Sequence, residues 1–224
     1  MISFIIPTIY KSERLIQLLR NLDVHPLVSE ILLIEDCPNT GMLDPKNGNL
    51  FNKVTIVPFK ERKYCNGGWN LGVSLVKTHY YALCNDDILF PTSVIDDVIH
   101  FYKLRPKSGF IGMHPTQFNC KTQTKPTVYG FVQREVWHID GGWGTLIFNH
   151  KDNDVIIPSD LKHWCGDTYY VHYSKYPCFN YFGEKFYTCN NDHGSSFSNE
   201  IKDIVLNDQK TYEEKYKLEK PIWA

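Results

Sequence analysis

Asn85-Asp86-Asp87 ends the apolar run Tyr80 to Cys84, and apolar residues resume at Ile88-Leu89-Phe90. Two adjacent carboxylates at the end of a buried strand are costly unless a cation sits beside them. Ions of the Mg²⁺ type are commonly held by one or two carboxylates together with substrate phosphates. The chemistry suggested is the handling of a phosphorylated or nucleotide-linked substrate, and the plain alternative is an acidic turn or helix cap. Two further apolar runs stop on polar residues in the same way. Ile31 to Ile34 ends in Glu35-Asp36, and Ile2 to Ile6 ends in Pro7-Thr8-Ile9-Tyr10. A carboxylate can accept a ring N–H through a charge-assisted bond.

The elements that position these residues alternate. Ile2–Ile6 reads as a buried strand, and Ser12 can cap a helix through Leu22 with Leu15, Ile16, Leu18, Leu19 and Leu22 as its apolar stripe. Strands are expected at Ile31–Ile34, Val54–Val57 and Tyr81–Cys84. Helices are expected from Trp69 to Lys77, opened by Gly67-Gly68, and from Ser93 to Leu104, stopped by Arg105-Pro106. This order implies an α/β architecture with a largely parallel sheet. In such sheets ligands bind outside the carboxyl ends of the strands, where all three polar endings fall.

The second half is less regular. Phe110–Met113 and Thr127–Gln133 read as strands, Asp140–Thr145 as a Gly-rich loop carrying Trp143, and Ser159–Tyr173 as helical. Asn190–Ser196 is a polar loop, Lys202–Lys217 a charged surface helix, and Pro38–Asn52 the longest connection.

Composition sets the class. A chain of 224 residues with 42% hydrophobic and 22% charged residues fits one large globular domain or two small ones. A net charge of -1 argues against nucleic acid as the main partner. No apolar run is long enough to span a membrane. The seven scattered cysteines contain no Cys-x-x-Cys and point to reduced thiols in a cytoplasm, a host cytoplasm if the source is viral.

In order, Ile5-Ile6-Pro7-Thr8-Ile9-Tyr10, Leu33-Ile34-Glu35-Asp36, Gly67-Gly68-Trp69-Asn70-Leu71-Gly72, Leu83-Cys84-Asn85-Asp86-Asp87, Gly166-Asp167 and His193 resemble the motifs of the nucleotide-sugar glycosyltransferases of the GT-A fold, family 2-like group. The resemblance covers roughly residues 2 to 200. The compact form, without added domains, resembles that of glycosyltransferases in large DNA viruses and phages. Three positions depart from the pattern: Glu35 stands for the usual Asp, Trp69 for Arg, and Asn85 for the first Asp of the D-x-D motif.

The resemblance implies a metal-dependent hexosyltransferase of glycan biosynthesis, using Mn²⁺ or Mg²⁺ and a UDP-sugar, with inversion the expected outcome. It implies a donor half at 1–105, an acceptor half at 106–200 and a helical tail at 201–224. Asp87 is then the expected metal ligand; His193 joins it, bonds the diphosphate or is an exposed loop histidine, while Asn85 and Asp86 contact ribose or sugar. Thr8 and Tyr10 face the nucleoside or form a turn; Arg14 reaches the same place or is a solvated surface group. Glu35 or Asp36 accepts the N3–H of a uracil or thymine, or Asp36 caps a turn with Pro38-Asn39. Lys60, Arg62 and Lys63 meet the base, ribose or diphosphate, or form a solvated charge run. Asn70 holds the loop or ribose, or caps a helix.

Asp167 is the candidate general base, because a sugar hydroxyl is a poor nucleophile until a carboxylate removes its proton. Trp143 and Trp164 stack on sugar faces or belong to the core. A catalytically silent sugar-binding protein of the same fold is the alternative. A nucleotidyltransferase is disfavoured, since Pro7-Thr8-Ile9-Tyr10 occupies the place of its Gly-rich phosphate loop.

Overall fold

The computed structural model describes residues 1–36, 51–59, 61–114, 130–133, 143–183, 186–188 and 199–224, with the backbone alone at 130–133, 143, 188, 199 and 200. The chain runs β1 (Ile2–Thr8), α1 (Leu15–Asp23), β2 (Val28–Glu35), β3 (Val54–Pro58), α2 (Tyr64–Leu75), β4 (Tyr80–Cys84), β5 (Ile88–Leu89) and α3 (Ser93–Leu104). It continues through β6 (Ile111–Met113), β7 (Gly130–Gln133), β8 (Leu146–His150), α4 (Gly166–Tyr173), β9 (Phe179–Phe182), β10 (Tyr187–Thr188) and α5 (Asn199–Lys215). Short 3-10 turns at Trp143–Thr145 and Lys151–Asn153 flank β8.

Among the described residues eight strands form one sheet in the order β3-β2-β1-β4-β8-β6-β9-β7, and β10 pairs with β5. β3, β2, β1 and β4 are mutually parallel. β8 enters antiparallel between β4 and β6, so the second half of the sheet is mixed.

The continuous apolar runs of β1, β2 and β4 are what a sheet covered on both faces requires. Alternate residues serve the two cores. Phe4 and Ile6 of β1 pack with Leu18 and Leu22 of α1 and Val94 and Val98 of α3. Ile5 points the other way, among Trp69 and Val73 of α2 and Tyr170 of α4. Cutting one such side chain to Ala costs about 2–5 kcal/mol. α2 lies unusually close to β1, because a Cβ at Gly72 would sit 2.1 Å from Ile5 Cγ2 and one at Gly68 would sit 2.9 Å from Pro7 Cβ. These glycines therefore let helix meet strand.

Three expectations are corrected. α2 starts at Tyr64, ahead of the glycine pair, so Asn70 is mid-helix and caps nothing. The segment 159–173 is helical only from Gly166 to Tyr173, because side chains take up the backbone groups of residues 161–164. α5 is more than a surface helix, since it buries Ile201, Asp208 and Tyr212. The expected strand at Thr127–Gln133 is present as β7; residues 127–129, most of the Pro38–Asn52 connection and the Asn190–Ser196 loop lie outside the described residues. Among the described residues no helix is long and apolar enough to cross a membrane.

Candidate active site

The polar ends of β1, β2 and β4 are joined directly. Thr8 pairs with Glu35 in the parallel register. Asp36 N–H donates to the Thr8 carbonyl at 2.9 Å, and the buried Thr8 hydroxyl donates to Asp86 Oδ2 at 2.5 Å. Tyr10 N–H donates to Thr8 Oγ1 at 2.9 Å, which tightens the turn after β1. The Tyr10 phenol is buried and donates to Glu35; burial first, then the charge and hydrogen bond of Glu35, hold its pKa well above the ordinary range. Arg14 is not a merely solvated arginine, since its Nη1 donates to the Asp87 carbonyl at 3.3 Å.

Asp36 anchors the start of α2. Its Oδ1 accepts Lys63 N–H at 2.5 Å and its Oδ2 accepts Tyr64 N–H at 2.9 Å. Asp36 thus caps the start of α2, and Pro38-Asn39, with which a turn cap was expected, lie outside the described residues. Burial raises the Asp36 carboxyl, while the two N–H donors and the charges of Arg62 and Lys63 pull against that rise. Arg62 Nε lies 3.8 Å from Asp36 Oδ2, and its guanidinium stacks 4.9 Å above the Tyr64 ring. Arg62, Lys63, Tyr64, Asn70 and Lys162 line a groove of about 320 Å³. The Asn70 amide is committed to Ile157, donating to its carbonyl at 2.8 Å and accepting its N–H at 3.0 Å.

The acid-rich turn after β4 is linked to Asp167 through the turn Trp143–Thr145. Asn85 N–H donates to the Thr145 carbonyl at 2.9 Å. A Cβ at Gly144 would stand 2.7 Å from Asp167 Oδ2, so only glycine leaves that carboxylate its place. The Cys65 thiol, in the first turn of α2, marks the convergence. Its pKa is raised by burial and then by the carboxylates of Asp86, Asp167, Asp36 and Asp87, in that order. The Asp86 carboxyl is pushed up to about 6, chiefly by burial; the Thr8 hydrogen bond opposes this and the Asp87 charge adds to it. Neighbouring carboxylates are hard oxygen donors of the kind that Mg²⁺ and Mn²⁺ take.

Asp167 sits in the first turn of α4, where its Oδ1 accepts Thr168 N–H at 2.8 Å. The loop before it is clamped from two sides. Buried Asn66 donates to the carbonyls of Leu161 and Trp164 at 3.0 and 3.1 Å. Buried Asp208, on α5, accepts the N–H groups of His163 and Trp164 at 2.6 and 2.8 Å. Among the described residues the non-glycine positions with positive φ are Tyr10, Tyr64 and Cys165, at 57°, 60° and 59°. All three adjoin this site, and such conformations persist only where surrounding structure enforces them.

Trp164 is 38% exposed, which removes it from the core, and it lines a groove of about 520 Å³ with Thr168, Leu206, Lys210 and Glu213. Trp143 contributes backbone to its turn, and its side chain lies outside the described residues, as do Lys60 and His193. Sequence reasoning missed Cys65, Asn66, Gly144 and Asp208. Gly144 had a signal in its Gly-rich loop; the other three had none.

No protein-family model and no curated protein matches the chain. Among solved structures, S. aureus TarS 1–349 in complex with UDP matches 97% of this chain and 76% of that one, at 16% identity and TM-score 0.61. The same fragment in complex with UDP-GlcNAc matches 91% and 64%, at 13% identity and TM-score 0.58. A longer TarS structure matches 97% of this chain, which spans 46% of its length, at 18% identity and TM-score 0.59. At such identities the likeness concerns the fold, which is α/β, Rossmann-like and of the GT-A type.

Proposed function

We propose that the chain is a glycosyltransferase that moves a sugar from a UDP-sugar to a hydroxyl of a glycan or other acceptor. The gathering of Asp36, Asp86 and Asp87 at the carboxyl ends of β2 and β4, with Asp167 of α4 packed against the Gly144 turn beside them, carries this reading. The UDP and UDP-GlcNAc complexes of TarS, which share the fold, support the choice of donor.

In this reading residues 1–105 bind the donor, 106–200 supply the acceptor contacts and the base, and 201–224 brace α4. Thr8, Tyr10 and Glu35 border the nucleoside, with Asp36 fixing the α2 start whose Arg62 and Lys63, with Lys60, face the diphosphate. Asn70 holds the far wall of that groove through Ile157. Asn85 and Asp86 meet ribose or sugar, and Arg14 steadies the turn that carries them. Asp87, with His193, would hold Mn²⁺ or Mg²⁺, whose charge offsets that of the departing diphosphate. Asp167 takes the proton of the acceptor hydroxyl as its oxygen bonds to the anomeric carbon. The bond from that carbon to UDP breaks with its electron pair staying on UDP, and attack from the opposite face inverts the centre. Trp143 and Trp164 offer ring faces to the acceptor.

The test is calorimetric titration of UDP, GDP, CDP and dTDP, with Mn²⁺ and then with EDTA. UDP is expected to bind in a Mn²⁺-dependent way, and Asp87→Ala is expected to abolish that dependence. Folded protein that binds none of the four would remove the transferase reading, and an Asp87→Ala variant with unchanged metal dependence would remove the ligand assignment. Asp167→Asn is expected to keep UDP binding and to lose about 10²–10⁴-fold in transfer rate, the usual contribution of a positioned base. Near-normal turnover would exclude it.

A further inference from the structure

At the opposite end of β4 from the acidic turn, a second group of ligating side chains comes together. His79 precedes β4, His150 ends β8 opposite Tyr80, and Asp152 lies in the 3-10 turn that follows. One ligating atom from each of the three lies within 4.8 Å of the other two. The backbone ties the segments together, since Lys151 N–H donates to the His79 carbonyl at 2.9 Å. A five-residue strand separates this group from Asn85, a span of about 15 Å.

His150 is the informative member. It is 1% exposed, and its Nε2–H donates to the Ser108 carbonyl at 2.8 Å. That bond places the proton on Nε2 and leaves the lone pair of the neutral ring on Nδ1. Nδ1 is buried and has no hydrogen-bond partner among the described residues. The ring is held by stacking on His79, with centroids 5.5 Å apart, and by the edge of Tyr102 at 5.2 Å. A histidine that ligates a metal almost always donates its other ring N–H to a carbonyl or carboxylate, which fixes the tautomer and the ring. His150 already has that arrangement. The nearby Lys151 ammonium is engaged elsewhere, donating to the Val73 carbonyl at 2.6 Å.

We propose that His79, His150 and Asp152 form a divalent-metal site of the zinc type, separate from the acidic turn. Two imidazoles and one carboxylate suit Zn²⁺ far better than Mg²⁺ or Ca²⁺ and leave one position for water. Tetrahedral Zn²⁺ with ligands near 2.0–2.1 Å draws them to about 3.4 Å from one another. His79 and Asp152 are exposed, so they make this adjustment while buried His150 stays fixed. The ion would pin the start of β4 to the turn after β8.

The experiment is Zn²⁺ competition against a chromogenic chelator, with thermal unfolding measured in parallel on wild type, Asp87→Ala and the double variant His79→Ala/Asp152→Ala. Both changes in the double variant are at exposed positions, so it keeps the far-ultraviolet circular dichroism of the wild type. Wild type and Asp87→Ala are expected to bind one equivalent and to gain several degrees in Tm. The double variant is expected to lose more than the roughly 10–100-fold in affinity that loss of an outer partner costs. Wild-type Zn²⁺ affinity in the folded double variant, or no Zn²⁺ binding by the wild type, would overturn the site. Loss of binding in Asp87→Ala alone would reassign the ion to the acidic turn.

Discussion

Asp86 ionises near pH 6 in the folded chain, against an ordinary value of 3.8, because burial disfavours its charge. Between those two values the folded state holds more protons than the unfolded state. Stability from this group therefore rises as pH falls from 6 to 3.8, and at neutral pH the ionised carboxylate costs up to about 3 kcal/mol. Asp86→Asn keeps an oxygen to accept the Thr8 hydroxyl. It is expected to raise the Tm of the ligand-free protein at pH 7 by several degrees, to lose that gain at pH 4, and to weaken donor binding. Melting curves at the two pH values check this; an unchanged or lowered Tm at pH 7 counts against it. Thr8, Glu35, Asp36 and Asp86 were legible in the sequence because each interrupts an apolar run. Asn66 and Cys65 were not. Asn66 has its role through carbonyls 95 and 98 residues away, and Cys65 through carboxylates gathered from three other segments.

At the scale of elements, α1, α3 and the parallel strands followed from periodicity, since burial on one stripe or on both faces leaves a direct trace. The loop at 158–165 left a misleading one. Its composition permits a helix, but Asn66 and Asp208 offer its backbone better partners than its own preceding turn does. Asp208→Ala strands the N–H groups of His163 and Trp164 and is expected to cost about 3 kcal/mol. In the proposed transfer reaction its kinetic signature is a fall in kcat larger than any change in UDP affinity, because the clamp acts on the Asp167 side of the site. Equal losses in both would show that the loop supports the donor groove as well. The entry of β8 between β4 and β6 was also illegible, because strand order across a sheet is set by long-range packing that local pattern does not record.

For the whole molecule, His163 sets an acid limit. Burial lowers its pKa to about 4, with the Arg62 charge adding and the Asp208 charge opposing. A half-buried neutral histidine contributes stability above the unfolded pKa near 6.5. That contribution is lost as pH falls through the interval from 6.5 to 4, because there the unfolded state binds the extra proton. At pH 5 the loss reaches about 2 kcal/mol, partly offset by the opposite trend of Asp86. His163→Gln is expected to flatten the decline in stability between pH 7 and pH 5, read from urea midpoints. A wild-type slope in that variant would exclude His163 as its source.

Asp208 follows His163 by 45 residues. During synthesis the strands carrying Thr8, Asp36, Asp86 and Asp87 leave the ribosome long before that anchor does. A nascent chain can thus join the ends of β1, β2 and β4 while the loop ahead of Asp167 is held by Asn66 alone. The second clamp on that loop is therefore the last contact of this region to form.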